Sequence, residues 1–498
     1  MKRMGESVGM LELSLREIAS AVNGRSMNYS GIADETIITK GISTDSRTVL
    51  PGNLFVALKG EKFNGHAYCN EARKKGAAVF LISDPQSLPE GAVGVITDDT
   101  LLGLQKLARH YRDRLDCVVV AVTGSVGKTS TREMIAAALS GSFKIHVTSM
   151  NFNNEIGLPS TILSAPADTQ VLLLEMGMRQ RGEIRLLSQI AQPDIAVITN
   201  IGTAHIELLG SPHSILSAKT EICEGLRDHG TLIINGDDKY LLEYVSDPKR
   251  KKWERLGMAT FSHARPQEVI TDYRIYADQV TMSRTGIALK AIVEDSTCTE
   301  SVQVAIQSFG KHQVKNALIS LLCGYILGAK LSKIRDSLSR FTPPPGRGNI
   351  ILTNHFTVVD DSYNASPESM EAAFESVRLM AGAKRKIAAL GGMLELGPNS
   401  PELHFRVGAS AAREGIDVLF ACGDEVEFLV SGALSETPEM PVYTFKNTED
   451  LSQALVHFLK NEDVVLIKAS HAFGFERIAE AIVKNDGIAS DHEGRGDI

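Results

Sequence analysis

A chain of 498 residues, 43% hydrophobic and 22% charged, carries a formal net charge of -8 and has room for roughly three domains with a core each. The mild acidity excludes a general nucleic-acid binder, which needs a basic face. Six cysteines stand far apart without a Cys-x-x-Cys pair, so zinc and redox motifs are unsupported and reduced thiols of a cytoplasmic protein are expected.

Residues 1–115 read as a small α/β unit. Met1-Lys-Arg3 is positive, but Glu6 and Glu12 interrupt any apolar signal core. A helix is expected over Leu13–Val22, ending at Gly24, with strands at Thr36–Thr39 and Leu54–Leu58 around a Pro51-Gly52 turn. Helices at Ala67–Lys75 and Leu101–Leu115 would flank a strand at Ala78–Ile82. The polar loop Ile42-Ser-Thr-Asp-Ser-Arg47 could grip a phosphorylated ligand through its guanidinium, though on its own it reads as a surface turn.

Residues 116–342 form a second unit built on Val118-Val-Val-Ala-Val-Thr-Gly-Ser-Val-Gly-Lys-Thr-Ser-Thr131. A β-branched run predicts a buried strand, Gly124–Gly127 a tight loop, and Lys128 onward a helix with Met134, Ile135, Ala138 and Leu139 on one face. Strand, glycine loop and helix start make an anion site, because unpaired N–H groups and the positive helix end converge. Lys128 would reach the outer phosphates of a nucleotide and the Thr129 hydroxyl its magnesium. Val122 stands where the full P-loop pattern has glycine, so this is the shorter Gly-x-x-Gly-Lys-Thr form.

Two further apolar runs end in polar residues. Val171–Leu174 leads into Glu175, and Ile195–Thr199 leads toward His205. In a doubly wound sheet such strand ends line the ligand crevice, so metal ligation is preferred over a helix-capping Glu and a structural His. Lys219, on an expected helix Ser217–Ile222, reads as an exposed salt-bridge partner. Lys249-Arg-Lys-Lys252 reads as a solvated loop. Ala259–Gln307 alternates apolar and polar, as an antiparallel flap or edge would. Ala317–Ala329 is too short to span a bilayer and reads as a packed helix.

Thr342-Pro-Pro-Pro-Gly346 is a stiff linker. Residues 343–498 then resume βα alternation: strands Phe356–Asp360, Lys386–Leu390, Val418–Cys422 and Val464–Ile467, and helices Pro367–Leu379 and Phe475–Val483. This is a Rossmann-like third unit, and its Gly- and charge-rich tail from 487 is expected to be disordered.

Several stretches together resemble the Mur ligase family, which adds amino acids or peptides to the peptidoglycan precursor. They are Asp45-Ser-Arg47, Pro51–Gly60, Thr123–Thr129, Asn153–Pro159, Glu175–Gly177, Thr199–His205, Ala218–Ile222, Gly310–Asn316, Gly346-Arg347, Asp360–Pro367 and Gly391–Gly397. Asp361-Ser-Tyr-Asn364 and Met393-Leu-Glu-Leu-Gly397 are most like the member that adds the final dipeptide. The chain departs from the family pattern at Gly392, where aspartate is usual, and at Ala469 and His471, where glycine and arginine are usual.

The resemblance implies a small N-terminal domain for the UDP-sugar, a central P-loop ATPase domain with a parallel sheet, and a C-terminal Rossmann-like domain. It implies a cytoplasmic, monomeric amide ligase using ATP and two magnesium ions on UDP-muramoyl tripeptide and D-alanyl-D-alanine. Gly124, Ser125, Val126, Gly127, Lys128, Thr129, Ser130, Asn316, Arg347 and Asp361 would hold ATP. Ser46, Arg47, Lys59, Gly60, Asn154, Tyr363 and Asn364 would hold the other substrates. One metal would rest on Thr129 and Glu175, a second on His205 and a carbamylated Lys219. Closure about residues 343–346 would complete the site. The alternatives are a diaminopimelate- or lysine-adding Mur ligase, a folylpolyglutamate synthase-like ligase, and a nucleotide-gated switch. The last lacks an Asn-Lys-x-Asp motif.

Overall fold

The computed structural model describes residues 12–28, 38–60, 63–149, 151–202, 209–261, 269–283, 285–380, 382–394 and 396–487. His205 and the tail beyond residue 487 lie outside the described residues.

The first helix, Leu15–Val22, starts at a capping box: the Ser14 hydroxyl accepts from the Glu17 amide while Glu17 accepts from the Ser14 amide. It buries Leu15, Ile18 and Val22 and stops at Asn23, whose φ of 56° breaks the helical run. Five strands follow in the spatial order Arg25–Met27, Val93–Ile96, Val79–Ile82, Leu54–Val56 and Ile42–Ser43, parallel except for the first pair. The expected helix at Ala67–Lys75 is instead a 3-10 turn, Gly65–Tyr68, followed by the helix Cys69–Lys74. Of the expected strand Thr36–Thr39, Ile38–Thr39 is described, paired with Leu13–Ser14.

The central sheet has nine strands. Ile145–Val147, Val171–Glu175, Val118–Thr123, Ile195–Ile198, Thr231–Asn235, Arg255–Thr260 and Tyr273–Ser283 are parallel neighbours in that order. Gly286–Asp295 and Thr299–Ile306 then extend the same sheet antiparallel, so the alternating stretch is its edge. One face is covered by the helices Lys128–Ser140 and Lys311–Ile326, whose Met134, Ile135, Leu139, Val314, Leu318 and Leu322 share a core.

The core on the other face runs on into the first unit, from Leu13 to Met258. The helix Thr100–Arg114 is the fastening between them. It buries Leu104, Leu107 and Tyr111, and the Tyr111 hydroxyl donates to the Ala165 carbonyl at 2.7 Å. Arg112, 1% exposed, donates from Nε to the Ala191 carbonyl at 2.9 Å. That carbonyl closes the helix Glu183–Ala191, so the guanidinium satisfies an orphan acceptor at the negative helix end.

The last sheet runs Asn349–Leu352, Thr357–Asp360, Asp463–Lys468, Arg385–Gly391, Val418–Cys422, Val442–Phe445, parallel except for its first pair. It has separate cores on its two faces. No helix among the described residues is long and apolar enough to cross a membrane.

Candidate active site

Val118–Thr123 lies between Val171–Glu175 and Ile195–Ile198, so three strand ends open into one crevice. The loop leaving it depends on glycine. Gly124 has φ +155°, and a Cβ there would lie 1.9 Å from the Thr199 hydroxyl; Gly127, with φ +80°, caps the helix Lys128–Ser140. Residues at the end of the neighbouring strand clamp the loop. The Thr199 hydroxyl donates to the Val126 carbonyl (2.7 Å), the Val126 amide to Asn200 Oδ1 (3.0 Å), and the Gly202 amide to the Ser125 hydroxyl (2.9 Å). Lys128 Nζ donates to the Gly124 carbonyl at 2.9 Å, folded back over the loop it would serve. Burial lowers its pKa, Glu175 opposes that shift, and the charge of Arg347 adds to it. The first-turn amides of Lys128, Thr129 and Ser130 have no carbonyl one turn earlier in the helix, the condition for anion binding.

Glu175 is 2% exposed at the end of its strand. Its carboxylate accepts from the Thr129 hydroxyl (3.0 Å), Arg132 Nη1 (3.1 Å) and Asn153 Nδ2 (2.8 Å). Neither Arg132 nor Asn153 is among the expected site residues, although Asn153 opens one of the family-like stretches. Arg132 follows Thr129 by three residues on one helix, which puts both on the same face, and that spacing was the available signal. Asn154, expected at the substrate, accepts through Oδ1 from the Ile156 and Gly157 amides just before the helix Gly157–Leu163.

Lys219 is not the exposed salt-bridge partner that its polar neighbours suggest. It ends the helix Pro212–Lys219 at 1% exposure, and among the described residues no salt bridge forms with it. Burial, and then the charge of Lys128, push its pKa well below the ordinary lysine value. Asn316, 5% exposed, binds its amide oxygen to the Thr131 hydroxyl and its nitrogen to Gln313, both at 2.8 Å. It stands beside the loop, 3.8 Å from where a Gly127 Cβ would be.

Three strand ends of the last sheet bring a second group of residues together. Lys468, 3% exposed, donates to Asp361 Oδ2 (2.5 Å) and to the Asn364 carbonyl (2.9 Å). The Arg347 guanidinium lies 3.8 Å from the Tyr363 ring centroid, and Tyr363 stacks on His471 at 5.3 Å. Lys311 of the central unit pairs with Glu375 of the helix Pro367–Arg378 at 2.5 Å, across the Pro-rich linker. Gly392 is accounted for by Phe473, whose ring lies 2.9 Å from where a Cβ would sit.

In the first unit, Ser46 opens a 3-10 turn, Ser46–Thr48, capped by Asp45. Hydrogen bonds from the Arg47 guanidinium and amide hold the Asp45 carboxyl down at about 2. Arg47 is 83% exposed, and Lys59 and Gly60 are exposed at the turn closed by the Lys59–Asn64 bridge.

Three family descriptions match this chain: Mur ligase family, catalytic domain over residues 39–112, Mur ligase middle domain over 122–324, and Mur ligase, glutamate ligase domain over 346–471. The chain belongs to the Mur ligase family, whose members are ATP-dependent ligases that form amide bonds. It is 35% identical to the UDP-N-acetylmuramoyl-tripeptide–D-alanyl-D-alanine ligase of Bacillus subtilis, covering 96% of this chain and 99% of that one. Among solved structures it resembles MurF from Acinetobacter baumannii (TM-score 0.82, 26% identity, 96% and 100% covered). It also resembles MurF ligase from Thermotoga maritima in complex with ADP (TM-score 0.76, 27% identity, 90% and 98% covered).

Proposed function

We propose that this protein joins D-alanyl-D-alanine to UDP-N-acetylmuramoyl-tripeptide at the expense of ATP. The observation that carries the reading is the phosphate loop, with Lys128 over it, Thr129 on Glu175 and Arg347 approaching from the last sheet. The full-length likeness to ligases bearing that name supports the choice of substrates. The working units are 1–115 for the UDP-sugar, 116–342 for ATP and 343–498 for the incoming dipeptide, in a monomeric cytoplasmic enzyme.

A carboxylate does not acylate amines at neutral pH, so its oxygen must first become a leaving group. The tripeptide carboxylate oxygen takes the γ-phosphoryl group, releasing ADP and giving an acyl phosphate. The dipeptide amine then forms the C–N bond and loses a proton, and the tetrahedral intermediate expels phosphate. Such transfer depends on positioning and neutralisation of charge. The loop amides and Lys128 cradle the triphosphate; Arg347 and Asp361 reach it from the last unit, with Asn316 beside the loop. Ser46, Arg47, Lys59 and Gly60 bind the UDP-sugar, and Asn154, Tyr363 and Asn364 border the peptide ends.

Among the described residues no cluster of three or more His, Cys, Asp or Glu forms. One hydroxyl and one carboxylate, Thr129 and Glu175, fit magnesium, which takes few protein oxygens and completes its shell with phosphate and water. Bound there it neutralises charge on the transferring phosphoryl group. A charged lysine does not ligate metal, so a second magnesium at His205 and Lys219 needs Lys219 as a carbamate. Its burial and depressed pKa favour the neutral amine that reacts with carbon dioxide. Intact-mass analysis with and without bicarbonate tests this.

The deciding experiment is ADP release with UDP-muramoyl tripeptide and D-alanyl-D-alanine, with diaminopimelate, lysine and glutamate offered separately as alternatives. Release driven by one of those alone overturns the assignment.

A further inference from the structure

We infer that His471 is a positioning residue for Arg347, acting through the ring of Tyr363. The inference rests on the nucleotide reading of Arg347 above. The Arg347 guanidinium lies 3.8 Å from the Tyr363 ring centroid, and that ring stacks on the His471 imidazole at 5.3 Å with 29° between planes. Among the described residues no carboxylate pairs with Arg347, so the aromatic ring is the contact that fixes its plane. A long arginine side chain otherwise samples many rotamers, and a stacked ring narrows them before a ligand arrives.

The backbone holds the two ends of this stack. The Tyr363 amide donates to the Gly346 carbonyl at 3.0 Å, which ties the ring beside Arg347 in the neighbouring strand connection. Tyr363 is 41% exposed, so core packing alone does not lock its ring, and His471 supplies a wall. His471 opens the 3-10 turn His471–Phe473 beyond the strand Asp463–Lys468. That turn is knitted to the Gly391–Leu394 turn: the Ser470 amide donates to the Gly392 carbonyl (3.1 Å), and the Leu394 amide to the Ser470 hydroxyl (3.0 Å). Phe473 lies where a side chain at 392 would need to be. Two of the three departures from the family pattern, Gly392 and His471, therefore lie on two interlocked turns whose rings serve opposite ends: Phe473 packs against Gly392 and His471 stacks on Tyr363.

Arg347 lies close enough to the phosphate loop for its charge to act on Lys128. A guanidinium held in plane there should favour a triphosphate over a diphosphate. The test is calorimetric titration of the full chain with magnesium and either ADP or a non-hydrolysable ATP analogue. His471→Ala is expected to lower the ratio of analogue to ADP affinity about threefold, the scale of one exposed cation–π contact, and to leave ADP affinity unchanged. His471→Phe, which keeps a ring, should restore the ratio. In an Arg347→Ala background His471→Ala should have no further effect. Equal losses for both nucleotides, no restoration by phenylalanine, or a further loss without Arg347 would each overturn the inference. Wild-type protein that binds neither nucleotide would sink the nucleotide reading itself; binding with a silent His471 would sink this inference alone.

Discussion

Replacing Glu175 by glutamine tests the centre of the site through stability as well as activity. Thr129 and Asn153 donate to different oxygens of Glu175, so the amide introduced by Glu175→Gln could accept from one of them only, and the charge opposite Arg132 would be gone. Both members of the Arg132–Glu175 pair are nearly sealed from water, with side-chain exposures of 2% and 3%. Removing one member of a buried pair costs about 3–5 kcal/mol, because the other charge stays behind without water. Glu133, 33% exposed, also pairs with Arg132 and relieves part of this, so the lower end, about 3 kcal/mol, is expected. Trp253 is the only tryptophan; it is 8% exposed and lies 5.5 Å from the Tyr244 ring, so its fluorescence follows urea unfolding of the central unit. With a slope of about 3 kcal/mol per M urea for a unit of this size, the midpoint should fall by about 1 M. Arg132→Met with Glu175→Gln should cost less than the two single changes added together, with a coupling of about 2 kcal/mol. A Glu175→Gln midpoint within about 0.2 M of wild type, or additive losses, would refute the buried pair.

Gly124→Ala should abolish nucleotide binding in a titration, since its Cβ would meet Thr199 at 1.9 Å, whereas Gly182→Ala, at φ +92° with nothing within 4 Å, should cost only about 1 kcal/mol of stability and leave binding intact. Lys219→Met should raise the Trp253 urea midpoint, by about 1 kcal/mol of relieved burial, while ADP release is lost; retained release would remove Lys219 from the mechanism. Burial holds the His146 pKa below its ordinary 6.5, so the unfolded chain takes up that proton first as pH falls. The stability linked to His146 is thus full above about pH 6.5 and lost below it, and His146→Gln should flatten the acid side of the Trp253 midpoint curve.

What could be read from the sequence was whatever chemistry is local. Strand, glycine turn, Lys128 and Thr129 follow one another in the chain, and Val418–Cys422 is a continuous apolar run because both its faces are buried. Edge strands such as Arg25–Met27, with no fully buried residue, carry no such pattern and are not legible in the sequence. The helices Ser400–Arg413 and Val426–Glu436 also went unread. They cross so closely that a Cβ on Gly408 would lie 1.8 Å from the Leu429 carbonyl, and contact through glycine leaves little apolar periodicity to detect. The exposed reading of Lys219 fails for a related reason: Ser217, Thr220 and Glu221 around it look like a solvated helix, whereas the fold buries Lys219, Thr220 and Glu221 and brings the charge of Lys128, distant in sequence, to act on Lys219.

The electrostatics of the assembled site explain why its parts come from different units. Lys128 is destabilised as a cation by burial and by Arg347, and Lys219 by burial and by Lys128. The buried carboxylate that opposes this at Lys128, Glu175, already answers Arg132. Bringing Arg347 from beyond the Pro-rich linker toward Lys128 therefore adds like charge to a place short of anions. A triphosphate supplies the missing negative charge between them, so approach of the last unit is favoured when nucleotide is present and opposed when it is not. On the proposed function, a substrate that thus completes the charge balance of its own site would couple closure to its binding, so that the site is shut to water before the γ-phosphoryl group moves and the acyl phosphate forms.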